Sequence, residues 1–122
     1  MKRALLIDDH ALFREGLALL LEWRTGIETV EAESLVEGHR ILGDSRDPAD
    51  VAIISLSLPD GDGNELIEQL HKTCPDVPVL ALTADGSLMQ QARALEAGAN
   101  EVLTRAASVE QIIDTVEQIR RR

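Results

Sequence analysis

The run Val51-Ala-Ile-Ile-Ser-Leu56 constrains this chain more than any other stretch. Five of its six residues are apolar, and they show no alternation with polar ones. That pattern describes a strand covered on both faces, which places it inside a parallel sheet with helices above and below. Its one polar member, Ser55, stands near the carboxyl end, four residues before Pro59. The following Pro59-Asp-Gly-Asp-Gly63 is turn chemistry, with Gly61 and Gly63 permitting unusual backbone angles and Asp60 and Asp62 lying past the strand end.

The rest of the chain supplies what such a strand needs. Ala4 to Ile7 is a second apolar run. A helical pattern follows from about His10 to Trp23, with Leu12, Phe13, Gly16, Leu17, Leu20 and Leu21 on its apolar side. Ile27 to Ala32 reads as a strand. Ser34 and Glu37 fit a capping box opening a helix to about Leu42, and Gly43-Asp-Ser-Arg-Asp-Pro48 is a loop by composition. Beyond the central strand come a helix from about Asn64 to Lys72 and a strand from Val77 to Leu82, with Pro78 near its start. A helix from Leu88 to Ala97 stops at Gly98, a strand spans Glu101 to Thr104, and Ser108 caps a last helix to about Ile119.

Strand and helix thus alternate five times with short connections. The pattern implies right-handed crossovers and one α/β domain, a parallel sheet with helices on both faces. In such sheets function sits beyond the carboxyl ends of the strands, near the point where strand order reverses. The residues at those ends are Asp8-Asp9, Ser55, Thr83-Ala84 and Arg105.

Composition narrows the function classes. A chain of 122 residues with 44% apolar and 28% charged residues fits one soluble domain with a real core. Its 22 acidic against 12 basic residues leave a net charge of −10, which repels a phosphate backbone. Phe13 and Trp23 are the only aromatic residues, too few for a base-stacking surface, so no direct nucleic-acid contact by this domain is expected. Arg120-Arg121-Arg122 suits the end of a helix through its dipole. Cys74 is the only cysteine, so no intramolecular disulfide or cysteine-based metal site can form. No stretch approaches a membrane span, and a cytoplasmic location is the expectation.

Taken in order, Leu6-Ile-Asp-Asp-His10, Ser55 ahead of Pro59, Leu82-Thr-Ala84 and Arg105 give the chain a family likeness along its whole length. It resembles the receiver domain of bacterial response regulators, the phosphorelay partners of histidine kinases in two-component signal transduction. Ala94-Leu-Glu-Ala-Gly-Ala-Asn100 and Leu103-Thr-Arg-Ala-Ala-Ser108 resemble the LuxR, nitrate-regulator-type subclass, which carries a helix-turn-helix DNA-binding domain after the receiver. The resemblance implies a single doubly wound (βα)5 flavodoxin-like domain over residues 1–122, with sheet order 2-1-3-4-5. It also implies Mg²⁺ at Asp8 and Asp9, a phosphoacceptor position at Ser55, and switch positions at Thr83 and Val102. Arg105 falls at the family's lysine. The contact face for a protein partner or a second copy would run from about Leu88 to Ile119.

The departures from that pattern carry chemical consequences. The family's nucleophile is an ionised aspartate, and Ser55 offers a neutral hydroxyl that needs a general base. By motif position no histidine belongs to the constellation, since His10, His39 and His71 fall in expected helices. Ser55 also removes a negative ligand, and Arg105 adds a permanent cation able to reach Asp8 or Asp9, so the Mg²⁺ site is expected to be weakened or lost. Val102 stands where relatives carry an aromatic ring that reorients, and Ala106 where many carry proline. The expectation is an atypical receiver that regulates transcription as a phosphorylation-independent interaction or dimerisation module, not as an enzyme. Two readings stay beside it: a conventional phosphoacceptor altered at Ser55, and an anion or phospho-ligand pocket built from Thr83, Ser55 and Arg105.

Overall fold

The computed structural model describes residues 2–44 and 49–121. Residues 45–48, most of the expected Gly43–Pro48 loop, and Arg122 lie outside the described residues. The elements are β1 (Arg3–Ile7), α1 (Ala11–Thr25), β2 (Glu28–Ala32), α2 (Leu35–Asp44), β3 (Val51–Ser55) and the short strands β4 (Ser57–Leu58) and β5 (Gly61–Asp62). They continue with α3 (Asn64–Thr73), β6 (Val79–Thr83), α4 (Leu88–Ala97), β7 (Glu101–Thr104) and α5 (Val109–Arg121).

Five parallel strands form one sheet in the order β2-β1-β3-β6-β7. Counted without the β4–β5 pair, this is the expected order 2-1-3-4-5, a flavodoxin-like α/β fold. β3 is the middle strand and is buried at all five positions. Its side chains divide by parity: Ala52 and Ile54 enter one core with α2, α3 and α4, whereas Val51 and Ile53 enter the other with α1 and α5. Strand order reverses between β1 and β3, so their carboxyl ends open a crevice rather than a covered edge.

Two local expectations are corrected. The Pro59–Gly63 stretch is more than a turn, because Ser57 and Leu58 pair antiparallel with Asp62 and Gly61. Helix α1 also turns a different face inward: Arg14, Leu17, Ala18 and Leu21 are buried, while Leu12 is 89% exposed and Leu20 and Gly16 face solvent. The cause is Arg14. Its guanidinium donates to the Asp8 carbonyl at 2.8 Å and to Glu31 at 2.9 Å, which fixes that side of the helix against the sheet.

The capping of α2 is likewise shared. Ser34 accepts from the Glu37 N–H at 3.1 Å as the sequence suggested. Asp60, from the far side of the β4–β5 hairpin, accepts from the N–H groups of Leu35 at 2.7 Å and Val36 at 3.0 Å. Those bonds, Val36's foremost, hold the Asp60 carboxyl below its ordinary range.

Gly63 closes the loop by close approach rather than by backbone angle, since its φ of −59° is open to any residue. A methyl group there would strike the carbonyl oxygen of Ser55 and come within 3.0 Å of the Leu56 Cα. Because both obstacles are backbone, they cannot swing aside. Gly63→Ala should therefore cost at least about 1–3 kcal/mol and lower the melting temperature by roughly 4 °C or more. Thermal unfolding followed by circular dichroism measures this, and an unchanged melt would show the loop to be free to move.

Candidate functional site

The carboxyl ends of β1, β3, β6 and β7 bring the expected residues to one place. Asp8 follows β1, held by its N–H to the Ala32 carbonyl at 3.0 Å and below by Arg14. Ser55 is the last residue of β3 and pairs in register with Leu82. Arg105 follows β7, and its N–H extends the ladder by donating to the Thr83 carbonyl at 3.0 Å. These backbone bonds set where the side chains start. Asp8 is 0% exposed and Ser55 is 1% exposed, whereas Asp9 and His10 at the rim are open to water.

The side chain of Arg105, 19% exposed, enters this space. Its Nη2 lies 2.8 Å from Asp8 Oδ2, 3.0 Å from Asp9 Oδ1 and 2.5 Å from Ser55 Oγ. Two N–H bonds cannot point at three oxygens. They are directed to Asp9 and Ser55, and Asp8 Oδ2 receives no hydrogen bond in line, so its contact is one of charge. The other Asp8 oxygen accepts from the His10 N–H at 2.7 Å. One nitrogen thus gathers three oxygens, two from the loop after β1 and one from the end of β3.

His10 corrects a third expectation. It precedes α1 instead of lying within it, and its ring joins the constellation. Arg105 Nη1 approaches His10 Nδ1 at 2.5 Å, a contact that needs the ring lone pair on Nδ1. The same ring lies 3.2 Å from Asp9 and 3.6 Å from Asp8. The signal missed was positional: a residue at a helix N-terminus directly after an acidic pair faces that pair. The Ser55 hydroxyl oxygen accepts from the Arg105 guanidinium, a cation that draws electron density away from it.

The other expected residues lie at the margin. Thr83 is buried, and its hydroxyl makes a long contact of 3.4 Å to the Asp85 carbonyl. Val102 is half-buried against the core beside α4. An open cleft of about 290 Å³ runs past Thr83 between the β4–β5 hairpin and α4. Its one cation, Arg93, is paired with Asp62 at 2.9 Å. Burial raises the carboxyl of Asp9, but the hydrogen bond from Arg105 and that from its own backbone N–H outweigh it, and the group is held below its ordinary range.

The sequence matches the response regulator receiver domain family over residues 4–117. This chain belongs to that family. Receiver domains are signalling modules rather than catalysts, and they commonly bind Mg²⁺ at an acidic site. The response regulator protein PilR of Pseudomonas aeruginosa is 33% identical over 94% of this chain, which spans 25% of that protein's length. A solved response regulator from Burkholderia pseudomallei, with a phosphorylated aspartic acid and a calcium ion, is 30% identical with a TM-score of 0.85, covering 95% of this chain and 66% of its own. A LuxR-family response regulator from Aurantimonas is 28% identical with a TM-score of 0.86, covering 98% and 84%. No described helix is long and apolar enough to cross a membrane.

This receiver domain has an acidic cluster, Asp8, Asp9 and His10, whose ligand atoms lie within 4.8 Å of one another. The donor set nevertheless fits Mg²⁺ poorly. An octahedral ion needs free carboxylate lone pairs, and the guanidinium already stands on both aspartates. Removing Arg105 would leave Asp8 buried without its countercharge, at a cost of roughly 3 kcal/mol. Part of the loss carries a pH signature. A depressed carboxyl contributes stability above its unfolded value near 3.8 and loses it as pH falls through the folded value. Urea unfolding in chelator should show Arg105→Ala much weaker than the parent at neutral pH, with the gap closing below about pH 4. A gap that stays constant into acid would remove Asp9 from the account.

Proposed function

We propose that this chain is an atypical receiver in which Ser55 occupies the phosphoacceptor position and Arg105 the lysine position. On this reading the domain does not take the usual aspartyl phosphate. It serves as a phosphorylation-independent interaction or dimerisation module in transcription regulation, in the cytoplasm. The observation that carries it is the single Arg105 nitrogen within 3.0 Å of Asp8, Asp9 and Ser55. A working receiver needs a charged nucleophile and a cation that stabilises the transferring group; here the nucleophile is neutral and the cation is already committed.

The likeness to LuxR-family receivers supports a helix-turn-helix domain following in the natural gene, with this domain as its regulatory half. Residues 1–122 then form one receiver-like unit. Contact runs through the region from Leu88 to Ile119, to a protein partner or a second copy. Exposed Leu88, Met89 and Leu95 on α4 support that placement, since three large apolar side chains on one short helix face water. Thr83 and Val102 are the switch-position equivalents, neither linked to a phosphoryl group in this account.

Acetyl phosphate with Mg²⁺, followed by intact mass, tests the reading. The parent chain should gain no phosphoryl group. Ser55→Asp alone should label weakly, because Arg105 still holds the acidic pair. Ser55→Asp with Arg105→Lys should label readily. A clean single phosphoryl adduct on the parent would end the proposal.

A further inference from the structure

Three Asp–Gly pairs occur in this chain, at Asp60-Gly61, Asp62-Gly63 and Asp85-Gly86. Such a pair is chemically labile. With no side chain on the second residue, the glycine nitrogen can reach the aspartyl carboxyl carbon and close a five-membered succinimide. The surroundings of each pair decide whether it is free to do so.

Two of the three are restrained. Asp60 gives both carboxyl oxygens to α2, accepting from the N–H groups of Leu35 at 2.7 Å and Val36 at 3.0 Å, so its carboxyl is turned toward that helix. Asp62 accepts from the Asn64 N–H at 3.0 Å with one oxygen and pairs with Arg93 at 2.9 Å through the other. A charge-assisted bond favours the ionised carboxylate, the form that resists attack by an amide nitrogen. Gly63 is buried, and its N–H, on the nitrogen that would attack, donates to the Leu56 carbonyl at 2.9 Å. Asp85 differs on each count. Ala84, Asp85, Gly86 and Ser87 are all exposed. One Asp85 oxygen accepts from the Ser87 N–H at 3.2 Å, which folds the side chain back over the Gly86 peptide. The other oxygen and the Gly86 N–H have no partner among the described residues.

We propose that Asp85-Gly86 is a site of spontaneous isomerisation to isoaspartate, a modification that loosens the entry to α4. The Gly86 nitrogen bonds to Asp85 Cγ, and the hydroxyl of the carboxyl group leaves with the amide hydrogen as water. Water then adds at the main-chain carbonyl of Asp85 and breaks its bond to the Gly86 nitrogen. The chain now runs through Cβ and Cγ, one carbon longer, with a free α-carboxylate and no change in mass. That carbon falls between Thr83, the last residue of β6, and Ser87, whose side chain caps α4 by accepting from the Gln90 N–H at 3.2 Å. Exposed Leu88 and Met89 follow directly.

The full chain, aged at physiological temperature in mildly acidic buffer, is mapped by digestion and electron-transfer fragmentation, which distinguishes isoaspartate from aspartate. Isoaspartate should accumulate at Asp85 at least tenfold faster than at Asp60 or Asp62, and in urea the three rates should converge. Gly86→Ala, whose added methyl meets only the Thr104 Cγ2 at 3.4 Å, should slow the reaction at Asp85 by at least tenfold. Amide hydrogen exchange over the first turn of α4 should quicken in the aged parent and stay unchanged in the aged Gly86→Ala chain. No isoaspartate at Asp85, equal rates at the three pairs in the folded chain, or a preference that persists in urea would overturn the proposal. Unaltered exchange in the isomerised chain would overturn it as well.

Discussion

A guanidinium nitrogen set among three oxygens is the constraint on which the site depends. Arg105 Nη2 draws Asp8, Asp9 and Ser55 to within 3.0 Å, in a pocket where Asp8 has no exposure to water. The buried charge at Asp8, with exposed Asp9 beside it, requires a counter-cation, and a metal ion or a protein cation can each supply it. A protein cation is bonded to its own strand, so it neither dissociates nor exchanges with solvent. The loops after β1, β3 and β7 are consequently tied to one another by the chain itself, which supports signalling by shape in place of phosphate.

Much of the fold was legible because burial on both faces leaves a strong mark in sequence. The apolar run of β3 and the alternation around it gave the sheet and its helices, and α4 and β7 begin and end where the pattern placed them. What was not legible depends on partners distant in sequence. Asp60 caps α2 from 24 and 25 residues away, which no local capping motif records. The inward face of α1 was misjudged since counting apolar residues assumes that a charged one points outward. Arg14 points inward because the Asp8 carbonyl and Glu31 satisfy it there.

The candidate site divides in the same way. Strand-end position alone marked Asp8, Asp9, Ser55 and Arg105, and the structure gathers all four. His10 escaped notice because assignment to a helix said nothing of which way the first residue before that helix would turn. The exposure of Leu12 and Leu20 was concealed by the same miscount, since both were assigned to the core. Exposed apolar side chains on α1 and on α4 thus lie outside a site in which Arg105 supplies the countercharge, while Asp8 Oδ2 stays without an in-line hydrogen bond.

The central claim is that Arg105 stands where a divalent cation would. Isothermal titration of Mg²⁺ into the parent chain and into Arg105→Ala tests it most directly. The account predicts no saturable heat for the parent, and binding that appears once the guanidinium is gone. Tight, saturable Mg²⁺ binding by the parent chain, unaltered in the variant, would contradict it.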